Sequence, residues 1–251
     1  MGKVRWKGSY RERRRWVPWL ATLLVFAAPA FLLRQQGRLW MCACGRLLFW
    51  TSDAWSSDTS QHLFDPYGFT HVLHGVVFCG LLALAAPRLP WAWRLWLAVA
   101  AEAVWEVVEN TQYVINRYRE ATAALGYTGD TVVNSLGDVL ACGLGFALAD
   151  RLGLKRSVIF FILVEAALLL TIRDSLLLNV VMLIYPPDSV SEWQAGKIWG
   201  QNAAGGPAGK IGPKGLAVLH AACPLNQLSR GDALGPRPRA PLREGRGTRG
   251  E

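Results

Sequence analysis

Residues 124–150, ALGYTGDTVVNSLGDVLACGLGFALAD, read as a polar turn that leads into an apolar helix long enough to cross a bilayer. Asp130, Asn134 and Asp138 recur in it at i, i+4 and i+8, so a helix stacks them on one face. A carboxylate at the centre of a hydrocarbon slab costs about 2.5–3.5 kcal/mol on insertion scales. The stretch therefore requires partners elsewhere in the chain, and the rest of the sequence is read outward from that need.

The composition fits a membrane setting. The 251 residues are 52% hydrophobic, contain 12 Trp and have a mean hydropathy of +0.20. Several windows approach the roughly 20 apolar residues that a transmembrane helix needs. A net charge of +9 invites a nucleic-acid reading, but its placement argues against one. Residues 1–15 hold seven basic residues and one acid, residues 196–251 hold nine and three, and the segment between them is net acidic. Basic ends flanking apolar spans suit membrane orientation and anionic headgroups. Membrane lipids are thus expected partners, nucleic acid is not, and the oligomeric state is left open.

The expected fold is all-α, a polytopic bundle of about five spans within residues 16–195. Residues 1–15 form a basic leader, and 196–251 a disordered tail rich in Gly, Pro and Arg. The spans are read at Trp16–Leu33, Phe69–Ala86, Trp91–Asn110, Thr131–Ala149 and from Ser157 onward. In the last, Arg173-Asp174 marks either a kink in one long helix or a break before a short interfacial segment in which the two residues pair. The short basic turns at 87–94 and 150–156 fall on the cytoplasmic side if the N-terminus is cytoplasmic, which is the orientation expected for a bacterial inner-membrane protein. Five Cys form no disulfide framework. Cys79 and Cys142 lie in apolar runs, and the Cys42-Ala43-Cys44 pair, read as exposed, suits a soft metal or oxidation.

Polar groups recur inside the spans. His71 and His74 share a face of the second, and Glu102, Glu106 and Glu109 share a face of the third. The assumed topology places His71, His74, Glu106, Glu109, Asn110, Asp130 and Asn134 at one outward depth, with Asp138 deeper and Glu102 toward the cytoplasm. His71 and His74 suit a divalent metal such as zinc. Glu106, Glu109, Asp130, Asn134 and Asp138 are candidates for the remaining ligands and for acid–base work. That chemistry would serve a metal-dependent hydrolase or transferase acting on a lipid-linked envelope substrate. A proton-coupled carrier, or a structural or assembly factor whose polar groups only lock the helices, are the alternatives. No Walker, GxSxG, HExxH or dinucleotide motif is present.

The segments CACG, DAWSSDTSQHLFDPYGFTHVLHG, EVVEN, GYTGDTVVNSLGDVLACGLGF and IRDSLLLNVVMLIYP, in that order over about 38–194, together resemble a family of bacterial multi-pass inner-membrane proteins of unknown function. A shorter likeness is to VanZ-like membrane proteins. It rests on His74 with Phe78, on Glu106 or Glu109, and on Asp130 or Asp138: Asp130-x-x-x-Asn134-x-x-Gly137 matches the family's motif in full, and Asp138-x-x-x-Cys142-x-x-Gly145 matches it except for Cys at the Asn position. Both likenesses imply a helical cell-envelope protein, and neither brings an activity.

Overall fold

The computed structural model describes residues 16–121 and 127–202, with the backbone alone for 197–202. The basic leader and most of the C-terminal tail lie outside the described residues. Among the described residues eight helices follow one another: α1 Val17–Gln35, α2 Gly68–Ala85, α3 Trp91–Glu109, α4 Gln112–Ala121, α5 Val132–Leu152, α6 Leu154–Ile172, α7 Leu176–Ile184 and α8 Asp188–Asn202. Among the described residues there is no strand, only an isolated bridge between Trp50 and Phe64. The protein is all-α.

Among the described residues, three helices, α1, α2 and α5, are long and apolar enough to cross a membrane. A fourth span arises if α6 and α7, bent by 70° at a short break, are taken as one. The helix α3 has the length of α1, but Arg94, Glu102, Glu106 and Glu109 make it too charged for a composition-based count. That is why about five spans are expected from the sequence and three or four are supported by length and apolarity. The connection after α3 folds into α4, and α8 continues past Gly196.

The helices α2 and α5 make the most extensive pair, α1 lies along α3, and α3 joins the two pairs by packing on α5. The closeness of α2 and α5 follows from two glycines. A Cβ on Gly75 would sit 2.0 Å from the carbonyl oxygen of Cys142, and one on Gly145 would sit 2.0 Å from that of Val72. The two backbones therefore touch, as small residues at helix interfaces permit. Gly75→Ala is expected to cost about 3 kcal/mol, because backbone rather than a mobile side chain is in the way. Thermal unfolding of the detergent-solubilised variant measures it.

One half of the bundle is dry. Val76, Cys79, Leu95, Ala98, Val99, Ala103, Val139, Phe146 and Ala149 form its apolar core. The other half is roofed by the loop 36–67. Three of its carbonyls, those of Ser60, Leu39 and Trp40, accept the backbone N–H groups of Thr131, Val132 and Val133 at 3.0, 2.8 and 3.1 Å. The Thr131 hydroxyl caps the N–H of Asn134 at 3.3 Å. The donors that a helix start leaves unpaired are thus all engaged, and the loop is fixed to the head of α5.

Glu165, buried in α6, has a local explanation. Its two carboxylate oxygens accept Leu176 N–H at 2.9 Å and Leu177 N–H at 3.3 Å, capping α7 where α6 breaks. Arg173 and Asp174 do not pair with each other, contrary to the interfacial-segment reading. The Arg173 guanidinium donates to the carbonyl of Trp193 at 2.8 Å and stacks on its ring, while Asp174 accepts the N–H of Ser175.

Candidate functional site

The polar half of the bundle is organised by three helices. His71 and His74 stand one turn apart on α2, Glu102 and Glu106 one turn apart on α3, and Asp138 projects from α5. These five converge. His71 Nδ1 lies 2.6 Å from Glu102 Oε1 and 3.3 Å from Glu106 Oε1, and His71 Nε2 lies 3.9 Å from Asp138 Oδ2. His74 Nδ1 meets both oxygens of Glu102, at 2.9 and 3.0 Å. Donor atoms of His71, His74 and Glu102 fall within 4.8 Å of one another, as do those of His71, Glu106 and Asp138. The two sets share His71 and so adjoin one another.

The cluster is buried. Glu102 and Glu106 are fully enclosed, and His71 and Asp138 nearly so. Only His74 has an open edge, its side chain 18% exposed, with Phe78 and Trp105 beside its ring. Glu102 is well satisfied by the two imidazoles. Glu106 is not: neither of its carboxylate oxygens has a hydrogen-bond donor, and the same holds for Asp138 Oδ1. Among the described residues, no Lys or Arg nitrogen lies within ion-pairing distance of the three carboxylates. Even two imidazolium ions would leave the cluster one negative charge in excess. Buried carboxylate oxygens without donors are uncommon and costly, and a cation supplies what these lack.

The other expected site residues stand apart, in a polar tier toward the loops. Asp130 precedes the N-cap of α5 rather than lying in the helix, so the expected stripe is a turn residue followed by two helical ones. Its Oδ2 accepts the Asn110 side-chain amide at 2.8 Å, its own N–H donates to Asn110 Oδ1 at 2.7 Å, and Tyr127 donates to its Oδ1 at 2.9 Å. Burial and the adjoining Asp130 charge hold the Tyr127 phenol well above its ordinary range, so it stays a donor. Glu109 ends α3 and bonds to Tyr118 on α4, whose phenol burial and the Glu109 charge likewise raise. Asn134 donates its amide to the carbonyl of His62 at 2.9 Å, which ties α5 to the overlying loop.

The structure therefore brings together His71, His74, Glu106 and Asp138, and leaves Glu109, Asp130 and Asn134 outside that contact. It adds Glu102, which the assumed depths put on the cytoplasmic side. The signal for Glu102 was available. His74 lies six residues into α2 and Glu102 seven residues before the end of α3, about 9 and 10 Å from the same end of the bundle. Asn110, which falls at the same outward depth as Glu106 and Glu109, holds Asp130 from both sides, whereas Asp65, which accepts the N–H groups of Ser60 and Tyr67 within the loop, carries no pattern that would single it out.

Comparison with known proteins agrees with this picture at the level of family. A family described as "Protein of unknown function (DUF2585)" matches residues 33–196. The chain is 47% identical over 182 residues to a UPF0314 protein of Paracoccus denitrificans, covering 72% of this chain and 94% of that one. It is 45% identical over 186 residues to a UPF0314 protein of Rhizobium meliloti, 74% and 94% of the respective lengths. A UPF0314 protein of Sphingopyxis alaskensis is 40% identical over 179 residues, 71% and 95% of the two chains. No solved structure matches the chain. The relatives are bacterial, and the apolar helices point to a membrane protein.

Proposed function

The chain belongs to the DUF2585 family of bacterial proteins, and we propose that its bundle holds a divalent metal between α2, α3 and α5. The observation that carries this reading is the set of donorless buried oxygens on Glu106 and Asp138, facing His71 in a cluster with a net negative charge. Two imidazoles with carboxylates from facing helices are a ligand set that suits zinc, iron or manganese. In the bacterial inner membrane, with the N-terminus cytoplasmic, the cluster lies toward the outer face.

The chemistry such a site performs best is hydrolysis or group transfer at an ester or phosphoester, where the metal polarises the acceptor oxygen and activates water. The residues of this chain would divide the work. His71, Glu106 and Asp138, one from each helix, suit the role of holding the ion, with His74 one turn from His71, and Glu102 fixes the orientation of both imidazoles, as outer-shell carboxylates do. Glu106 has neither oxygen in a hydrogen bond, so one could hold the ion while the other takes the proton from water. The open edge at His74 borders the outer surface of α3, where Val104 and Val108 are exposed. A lipid-linked or otherwise amphiphilic substrate fits an approach from that side.

A proton-coupled carrier is less well supported. Its relay would have to continue beyond Glu102, and there the bundle is filled by the apolar core around Ala98, Val99 and Val139. Metal analysis of protein purified in detergent tests the metal reading. It predicts one divalent ion or more per chain, lost in the His71→Ala/His74→Ala double variant with helicity retained. Metal content that is absent, or unchanged by the double substitution, would overturn it.

A further inference from the structure

The loop that roofs the bundle contains a second group of reactive side chains, separate from the cluster beneath it. Cys42 and Cys44 are joined by a disulfide, and donor atoms of Cys42, Cys44 and His62 lie within 4.8 Å of one another. The two sulfurs differ in surroundings. Cys42, expected to be exposed, is buried, whereas Cys44 is half-buried and accessible. Cys42 Sγ also accepts the N–H of Cys44 at 3.2 Å.

His62 is enclosed, 1% exposed. Its Nδ1 accepts the N–H of Leu48 at 3.3 Å, which leaves Nε2 carrying the proton of the neutral ring. That buried Nε2–H has no hydrogen-bond acceptor, since Asp58 Oδ1 is 3.9 Å away. A donor of this kind is what a thiolate formed next to it would need. The loop cannot easily move the ring aside, because the His62 carbonyl is held by Asn134 of α5.

From this arrangement we propose that Cys42–Cys44 is a reversible redox pair that exchanges with an external dithiol, with His62 serving the departing thiolate. A thiolate of the external dithiol attacks the accessible Cys44 Sγ, and the Cys42–Cys44 bond breaks. The electron pair goes to Cys42 Sγ, which the Cys44 N–H already serves and beside which the His62 ring stands, before a proton arrives from solvent. The second thiol of the external molecule loses its proton and attacks its own sulfur in the mixed disulfide, releasing Cys44 as a thiolate that water protonates. Two electrons and two protons reach the pair, and the external dithiol leaves as a disulfide. The reverse sequence reoxidises the loop.

Full-length protein in detergent, equilibrated with dithiothreitol at graded ratios of reduced to oxidised reagent and then alkylated, tests this by mass spectrometry. Cys42 and Cys44 should become alkylated together in one two-electron transition and recover their bond on reoxidation, with Cys79 and Cys142 protected throughout. His62→Leu should slow reduction about tenfold, the effect of losing one hydrogen bond to a charged group, and alter its pH profile. His62→Gln, which keeps a donor, should recover part of the rate and shows whether the slowing is merely a fault of folding. Three results would overturn the proposal. One is a pair that stays oxidised under excess dithiothreitol until the protein is unfolded. Another is a pair that alkylates without reduction. The third is a reduced pair that retains one zinc per chain in the His71→Ala/His74→Ala background, which would make the loop a metal site instead.

Discussion

Glu102→Ala is expected to destabilise the bundle by about 3–5 kcal/mol, the usual cost of removing one partner from a buried, hydrogen-bonded ionic group. Glu102 is fully enclosed and, among the described residues, is the only carboxylate in contact with both imidazoles, at 2.6 Å from His71 and 2.9 Å from His74. Its loss leaves two ring nitrogens without their acceptor and frees the rings to turn. Glu102→Gln keeps the volume and one acceptor, so it should cost less than the alanine variant while still loosening the imidazoles. Chemical denaturation in a fixed detergent ranks the three proteins. If Glu102→Ala unfolds like the wild type, Glu102 does not organise the site.

The paired substitution Glu106→Gln/Asp138→Asn is expected to do the reverse. These carboxylates hold the donorless oxygens, and in metal-free protein their charges oppose one another across the cluster. Neutral amides of the same shape relieve that opposition, so the metal-stripped variant should be as stable as the wild type or more stable by about 1–3 kcal/mol. Metal affinity should fall by at least about 100-fold, because two ligands are removed. Added zinc at about 100 times its Kd should stabilise the wild type by about 2.7 kcal/mol and leave the variant unmoved. Groups that serve only to lock helices together would behave otherwise: their replacement would weaken the protein with or without metal. The contrast with Glu102 thus separates a residue that supports the site from residues that are held ready for a ligand.

Much of this architecture is legible in the chain because its signals are local. Apolar runs of membrane length mark α1, α2 and α5, a further apolar run marks α6, and one-turn spacings mark the His71–His74 and Glu102–Glu106 faces. The helix starts and ends fall within a few residues of the sequence boundaries. What the sequence does not show is pairing at a distance. Glu102 appears misplaced when depth is counted from a presumed membrane surface, and appears in register once α2 and α3 are seen side by side. Asp130 shares a spacing with Asn134 and Asp138 yet sits before the helix, because Thr131 is the residue that caps it. Asn134 shares that face but spends its amide on the loop. The loop itself has almost no regular structure to anticipate, and its role as the lid of α5 depends on single carbonyls at Leu39, Trp40 and Ser60.

The most direct measurement is X-ray absorption at the edge of the metal that copurifies with the protein. Ligation by α2, α3 and α5 predicts only nitrogen and oxygen neighbours at about 2.0–2.2 Å, with the outer-shell scattering of two imidazoles, and the loss of that signal in Glu106→Gln/Asp138→Asn. A spectrum containing sulfur neighbours would place the metal at Cys42 and Cys44. Protein that carries no metal, and takes up none when it is supplied, would contradict the proposed site altogether.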